Sequence, residues 1–287
     1  MNIPSPIALV LAAGCSASLA ILMRLFTKAD SSRYGMILGN YLTCTLTGFF
    51  LIPDKSILLS AQKATYLSGI AGGFLFVLSL VCMHSSISEN GAILTSAFSK
   101  LGLLVPLALS IFLFHEMPST VQIIGLLAVF AAFTVMNHTS PDNHARQFSL
   151  FSLLIVLLTN GLSDAMGKIY NAIGVQREET VYMFLVFLIA ACLTFFLLWY
   201  DAQRTGRKTQ LKDLVPGIAI GVPNYFSSIF LLASLRTIPS FIAYPVFSAG
   251  TILIVTSAGI LLFHERLSSH QSLGLLLILV SLVLLNI

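Results

Sequence analysis

Phe98-Ser99, Phe114-His115-Glu116, Ser119, Gln122, Gly125-Leu126-Leu127 and Asn137 recur at a constant spacing as Phe247-Ser248, Phe263-His264-Glu265, Ser268, Gln271, Gly274-Leu275-Leu276 and Asn286. About fourteen of some forty positions agree without a gap, far more than two unrelated apolar stretches would share. Each copy reads as an apolar helix, a tight polar turn and a second apolar helix. The chain is built around this duplication.

Working outward, shorter matches keep nearly the same offset. Gly69-Ile70-Ala71-Gly72-Gly73 pairs with Gly217-Ile218-Ala219-Ile220-Gly221, Cys44 and Leu46-Thr47 with Cys192-Leu193-Thr194, and Gly14-Cys15-Ser16 with Gly161-Leu162-Ser163. Their common offset extends the duplication over the whole chain, as a first repeat over 1–140 and a second over 141–287.

Of the 287 residues 57% are hydrophobic and only 9% charged, with mean hydropathy +0.94. A soluble domain carries about 25% charged residues, so this chain cannot cover itself with a water-facing surface. Its apolar blocks run to roughly twenty residues, the length that spans a hydrocarbon core as a helix. The fold class is an all-α membrane protein of about ten transmembrane helices. The expected spans are 6–26, 34–52, 64–83, 91–114, 119–136, 149–170, 180–200, 214–235, 242–263 and 269–287. The run over 7–20 with Ala12-Ala13-Gly14-Cys15 imitates a lipoprotein signal, but no Lys or Arg precedes it and the apolar run continues, so a first span is expected.

Five spans per repeat is an odd number, so the second repeat enters the membrane upside down relative to the first. This is an inverted-topology repeat, in which alternating access follows from exchanging the conformations of the two halves. A substrate site is then expected near the midplane between them. The net charge of +4 sits in loops and argues for membrane topology, not for nucleic acid. Cys15, Cys44, Cys82 and Cys192 lie inside apolar blocks without a paired spacing, which predicts free thiols.

With the Phe-His-Glu turn ahead of a Gln-x-x-Gly helix, the chain resembles the EamA type of the drug/metabolite transporter superfamily. That family's turn commonly reads Gly-Glu-Arg-Leu-Ser followed by Gln and Gly. His264-Glu265-Arg266-Leu267-Ser268 with Gln271 and Gly274 is close to it, and His115-Glu116-Met117-Pro118-Ser119 with Gln122 and Gly125 is less so. In both copies His stands in place of Gly. The resemblance implies a ten-helix bundle whose first, third, fourth, sixth, eighth and ninth spans line a central cavity, with the fifth and tenth outside. It also implies a multi-pass protein of the cell (inner or plasma) membrane, a monomer or weak homodimer, that exports a small solute. The motif itself marks the scaffold and leaves the substrate open.

Charge inside a span costs at least about 2.5–3.5 kcal/mol at a helix centre, so intramembrane charges point to function. Lys100, Asp164 and Lys168 qualify. Lys100 follows the repeated Phe98-Ser99, while its counterpart is Ala249, so the scaffold does not require the charge. One reading has Lys100 facing the cavity and attracting a carboxylate or phosphate; the other pairs it with Asp164. For Asp164, coupling of transport to a proton or another ion stands beside a structural pair with Lys168 four residues on.

Pro223 and Pro245 fall mid-span, where membrane helices open their backbone toward protein or a cavity. Asn224, Tyr225, Tyr244 and Ser248 cluster near them in sequence, and Asn160 and Ser163 precede Asp164. Together with Phe98, Ser99, Lys100 and Phe247 they form the candidate substrate lining, with ordinary interhelical hydrogen bonding and packing as the alternative. The two Gly-x-x-x-Gly pairs are assigned to close helix approach, and Glu116 and Glu265 to capping of the helices that follow.

Ser268 stands where a His-Glu-x-x-His zinc site begun by His264-Glu265 needs its second His, and Ser119 stands there after His115-Glu116. No nucleophile elbow or Walker A sequence occurs. No catalytic residue, metal or cofactor is expected, and any pumping would draw on a gradient. Secondary transport of a small anionic or zwitterionic metabolite, such as an amino acid, is the leading expectation. A passive channel or uptake facilitator is the alternative. Loops after odd-numbered spans hold about eight Lys/Arg against about four elsewhere, which would place 204–212 in the cytoplasm. The family resemblance implies cytoplasmic termini instead.

Overall fold

The structure is a computed structural model and describes residues 3–26, 33–90, 95, 98–99, 101–115, 117–136, 149–205, 211–263 and 269–285. All regular structure among them is helical. The helices are α1 (Ser5–Phe26), α2 (Arg33–Leu51), the single turn α3 (Ile57–Ser60), α4 (Lys63–Asn90), α5 (Leu104–Phe112), α6 (Thr120–Met136), α7 (Leu150–Ile173), α8 (Glu179–Thr205), α9 (Leu211–Ser234), α10 (Ser240–Phe263) and α11 (Ser269–Leu285). Among the described residues, α1, α4, α7, α8, α9 and α10 provide stretches long and apolar enough to cross a membrane, and α6 and α11 are apolar but shorter.

Two elements depart from expectation. α4 runs on to Asn90, past the expected end at Met83. The span expected over 91–114 is interrupted, because α5 begins only after a turn at Gly102-Leu103. Pro106 supplies the reason. It has no N–H for the Gly102 carbonyl, which instead accepts the Val105 N–H at 2.9 Å in a tighter turn. In α9 and α10 the prolines Pro216, Pro223 and Pro245 are accommodated inside continuous helices.

The chain divides into two compact units, Met1–Val77 with Met166–Arg236, and Leu78–Ala165 with Thr237–Ile287. Each compact unit draws on both sides of the expected boundary at 140/141.

In the first unit, α9 lies against α1 and α2, and α2 against α8. Glycine lets these backbones meet. A Cβ at Gly221 would stand 2.8 Å from the Asn40 carbonyl oxygen and 2.5 Å from Thr43 Cβ, and one at Gly217 would collide with the Met36 carbonyl. The pair on α4 is seated on α8 in the same manner. A Cβ at Gly73 would stand 2.5 Å from the Val186 carbonyl oxygen and 2.7 Å from Ile189 Cβ, and one at Gly69 2.7 Å from Leu185 Cβ. Tyr41, Tyr170, Tyr182, Phe187 and Tyr225 fill the space between with Leu38, Val186, Ile229 and Leu232.

Polar groups tie the ends of these helices. The Arg236 guanidinium, just past α9, holds the Glu179 carboxylate at the start of α8 through both oxygens, with Nε to Oε1 at 2.7 Å. Glu178 Oε2 accepts the Gln62 N–H at 3.0 Å and the Thr65 hydroxyl at 2.5 Å, capping the start of α4 from another helix. α4 and α8 therefore begin at the end where α9 stops, and α9 runs opposite to α4.

In the second unit, α6 lies along α11. A Cβ at Gly125, three residues after Gln122, would stand 3.1 Å from both Leu284 Cβ and Leu285 Cγ, so glycine keeps this approach close. Ala132, Ala249 and Ile278 form the core there, joined by Ile252 and Leu253 of α10. Ser119-x-x-Gln122 is a capping box: Gln122 Oε1 accepts the Ser119 N–H at 2.9 Å, and the Gln122 N–H donates to Ser119 Oγ at 3.2 Å. Glu116, expected to cap α6, lies outside the described residues, as do Glu265 and the rest of the 264–268 turn. His115 takes φ 55, the left-handed region that favours glycine, at the position where the family pattern carries one.

Candidate functional site

α7 carries three of the candidate residues within little more than one turn. Asn160 Nδ2 donates to the Val156 carbonyl at 3.0 Å, Ser163 is buried, and the Asp164 side chain is exposed. Tyr244 of α10 is buried and its hydroxyl donates to the backbone carbonyl of Asp164. Gly102, three residues beyond Ser99, meets the same helix: a Cβ there would stand 3.0 Å from Gly161 N and 3.1 Å from the Leu157 carbonyl oxygen. The second unit thus gathers α7, the turn after Phe98-Ser99, and Tyr244. Phe98, Ser99, Phe247 and Ser248 are half-buried within that unit. Lys100 lies outside the described residues.

Asn224 and Tyr225 belong to the first unit. Asn224 Nδ2 donates to Asn40 Oδ1 at 3.1 Å, and the Cys44 thiol donates to the Gly221 carbonyl at 3.2 Å. Tyr225 is fully buried in the aromatic core, its ring 5.9 Å from that of Phe187, and its hydroxyl finds no partner among the described residues. In this conformation Tyr225 offers a solute no surface. The four cysteines are free thiols, as the spacing predicted. No group of His, Cys, Asp and Glu among the described residues has the arrangement of a metal site.

The comparison with known families follows the duplication. Residues 147–287 match the EamA-like transporter family. That half of the chain is EamA-like. The match bears out the resemblance drawn from the turn, and it falls on the copy whose turn reads His264-Glu265-Arg266-Leu267-Ser268. An uncharacterized protein of Haemophilus influenzae is 26% identical over 278 residues, covering 93% of each chain. A crystal structure superposes with a TM-score of 0.75 over 98% of this chain and 95% of its own, at 13% identity, which shows a shared fold alone. The match over 147–287 together with the six long apolar helices among the described residues supports a multi-pass membrane protein.

Sequence reasoning overlooked two polar clusters of this chain. One is the Glu178, Glu179 and Arg236 group. Its signal was available: adjacent acids directly before an apolar run mark a helix start, and a lone Arg after another marks a helix end. In the loop after α2, the Ser56 side chain and then its N–H, at 2.9 Å, hydrogen-bond to the Asp54 carboxyl and hold that acid below the usual carboxylate range. The other cluster is neutral. Asn90 Oδ1 accepts the Ser149 N–H at 2.8 Å, while its Nδ2 donates to Ser152 Oγ at 2.7 Å and Ser86 Oγ at 3.1 Å. Ser86 in turn meets the buried Thr95 hydroxyl at 3.0 Å. This ties the end of α4 to the start of α7, and no local pattern announces it.

Proposed function

We propose that the chain is a secondary transporter of the drug/metabolite class, with ten spans in two inverted five-span repeats over 1–140 and 141–287. It moves, by export, a small anionic or zwitterionic metabolite such as an amino acid by alternating access. The observation that carries this reading is the reciprocity of the glycine seats. Gly69 and Gly73 on α4 meet α8 at Leu185 and Val186, and their repeat partners Gly217 and Gly221 on α9 meet α2 at Met36 and Asn40. The glycines are offset by 148 residues and the carbonyls they approach (Asn40 and Val186) by 146. α9 also runs opposite to α4, as inversion of the second repeat requires. The start of the family match at residue 147, shortly after the expected boundary at 140/141, supports the same division.

In this proposal Lys100 attracts the anionic group of the solute, and Phe98, Ser99, Asn160, Ser163, Asn224, Tyr244, Phe247 and Ser248 belong to the lining, while Tyr225, buried in the aromatic core, would join it only in another conformation. Asp164 is the candidate for coupling to a proton or another ion. The partners are the bilayer and the solute, in a monomer or weak homodimer of the cell membrane. Proteoliposomes loaded with one member of an amino-acid panel test it by counterflow. Saturable exchange is expected, reduced at least about tenfold by Lys100→Ala, the scale of a lost charge-assisted contact. Flux that neither saturates nor shows counterflow would establish the channel instead, and unchanged exchange in Lys100→Ala would remove Lys100 from the site.

A further inference from the structure

The Glu178, Glu179 and Arg236 cluster holds together the starts of α4 and α8 and the end of α9. α1 begins at the same end, where the Ser5 hydroxyl lies 3.5 Å from the Ala233 carbonyl. Both glutamates are buried, and Arg236 is half-buried. Beneath them Tyr170 stacks on Tyr182 with centroids 4.0 Å apart, and the Tyr170 hydroxyl donates to the Val175 carbonyl at 2.9 Å, bracing the turn that carries the acids.

A buried ion pair is a poor source of stability, because the desolvation of both charges offsets most of their attraction. The Glu179–Arg236 pair therefore adds little net preference for contact over separation. It lies at helix ends, so separation returns the guanidinium, the two carboxylates and the first N–H groups of α4 to water and not to hydrocarbon. Apolar side chains in the same place would favour closure alone. Asn90 joins helix ends in the second unit with neutral groups, so joining ends does not of itself require charge.

We propose that the Glu179–Arg236 pair, with Glu178 on the start of α4, is an ionic latch that closes this end of the first unit and releases during the working cycle. The proposal rests on the transporter reading for its purpose, but its opening can be observed without a solute. Ser234 is fully buried two residues before Arg236 and provides a reporter position. Leu198, buried toward the other end of α8, provides a control.

The test uses the full chain in vesicles, with Ser234→Cys or Leu198→Cys, a water-soluble maleimide, and peptide mass spectrometry to separate each site from the native thiols. Glu179→Gln or Arg236→Gln should raise the labelling rate at position 234 about tenfold, as a tenfold shift in a closed–open equilibrium would. Labelling at position 198 should stay unchanged. The exchanged pair Glu179→Arg with Arg236→Glu should return the rate toward that of the parent. Unchanged labelling in the single variants overturns the latch. Equal gains at 234 and 198 do so too, because they report general loosening. An exchanged pair as reactive as the single variants likewise rejects it. Labelling that responds as expected in vesicles without saturable flux leaves the latch standing and removes the transporter reading.

Discussion

The contact of α9 with α2 and that of α4 with α8 share a backbone geometry and differ in what surrounds it. Around Gly221 the neighbours are polar: Asn224 donates to Asn40, and Cys44 donates to the Gly221 carbonyl. Around Gly73 they are aromatic and aliphatic, with Phe76 edge-on to Phe187 at 6.0 Å and Ile189 and Val186 against the glycine. Two helices in a membrane gain little from hiding apolar surface, since lipid is as apolar as their side chains. Close approach through small residues is therefore the shared requirement, and the chemistry beside it is free to diverge.

The largest effect expected from disturbing this comparison comes from filling the seats. Gly217→Leu and Gly73→Leu should each cost at least the roughly 1–3 kcal/mol of core overpacking, seen as a lower thermal midpoint of the purified protein. Gly69→Leu should cost less, because the first atom it meets is the Leu185 side chain and not a carbonyl. Equal tolerance of all three would break the account of these contacts.

A smaller effect separates the polar seat from the apolar one. Asn40→Leu or Asn224→Leu alone should destabilise by about 1–2 kcal/mol, since each leaves its partner unsatisfied, whereas the double variant should recover part of that loss. Additive losses in thermal unfolding would show that the pair is not coupled. His115→Gly sharpens the contrast between glycine for space and glycine for backbone conformation. It should stabilise by about 1 kcal/mol, because the left-handed region costs an L residue that much. The least change is expected at Gly14, where a Cβ would meet nothing within 4 Å. Gly14→Ala should gain about 0.5–1 kcal/mol from helix propensity, and a loss would reveal a neighbour there.

The turn motif was legible because its parts act locally. Ser119 and Gln122 cap the helix they begin, and Gly125 faces a partner one turn on, so spacing alone conveyed their purpose. The candidate lining was less legible. Tyr225 and Asn224 stand beside a mid-span proline, which left a polar lining and ordinary interhelical hydrogen bonding both open. Tyr225 is buried among aromatic rings and Asn224 is engaged by Asn40, 184 positions away. Tyr244 donates to a carbonyl 80 positions off. A side chain's role in a bundle depends on which helix lies opposite, and no local period encodes that.

Hydropathy and the internal duplication by themselves made this a membrane protein of apolar helices, because a chain so poor in charge has no soluble alternative and kindred stretches fold alike. Only the tertiary structure decided that Gly217 seats on α2 and Gly73 on α8, and that Glu178, Glu179 and Arg236 meet. Those partners lie far apart along the chain, and close approach of two backbones is a property of the pair.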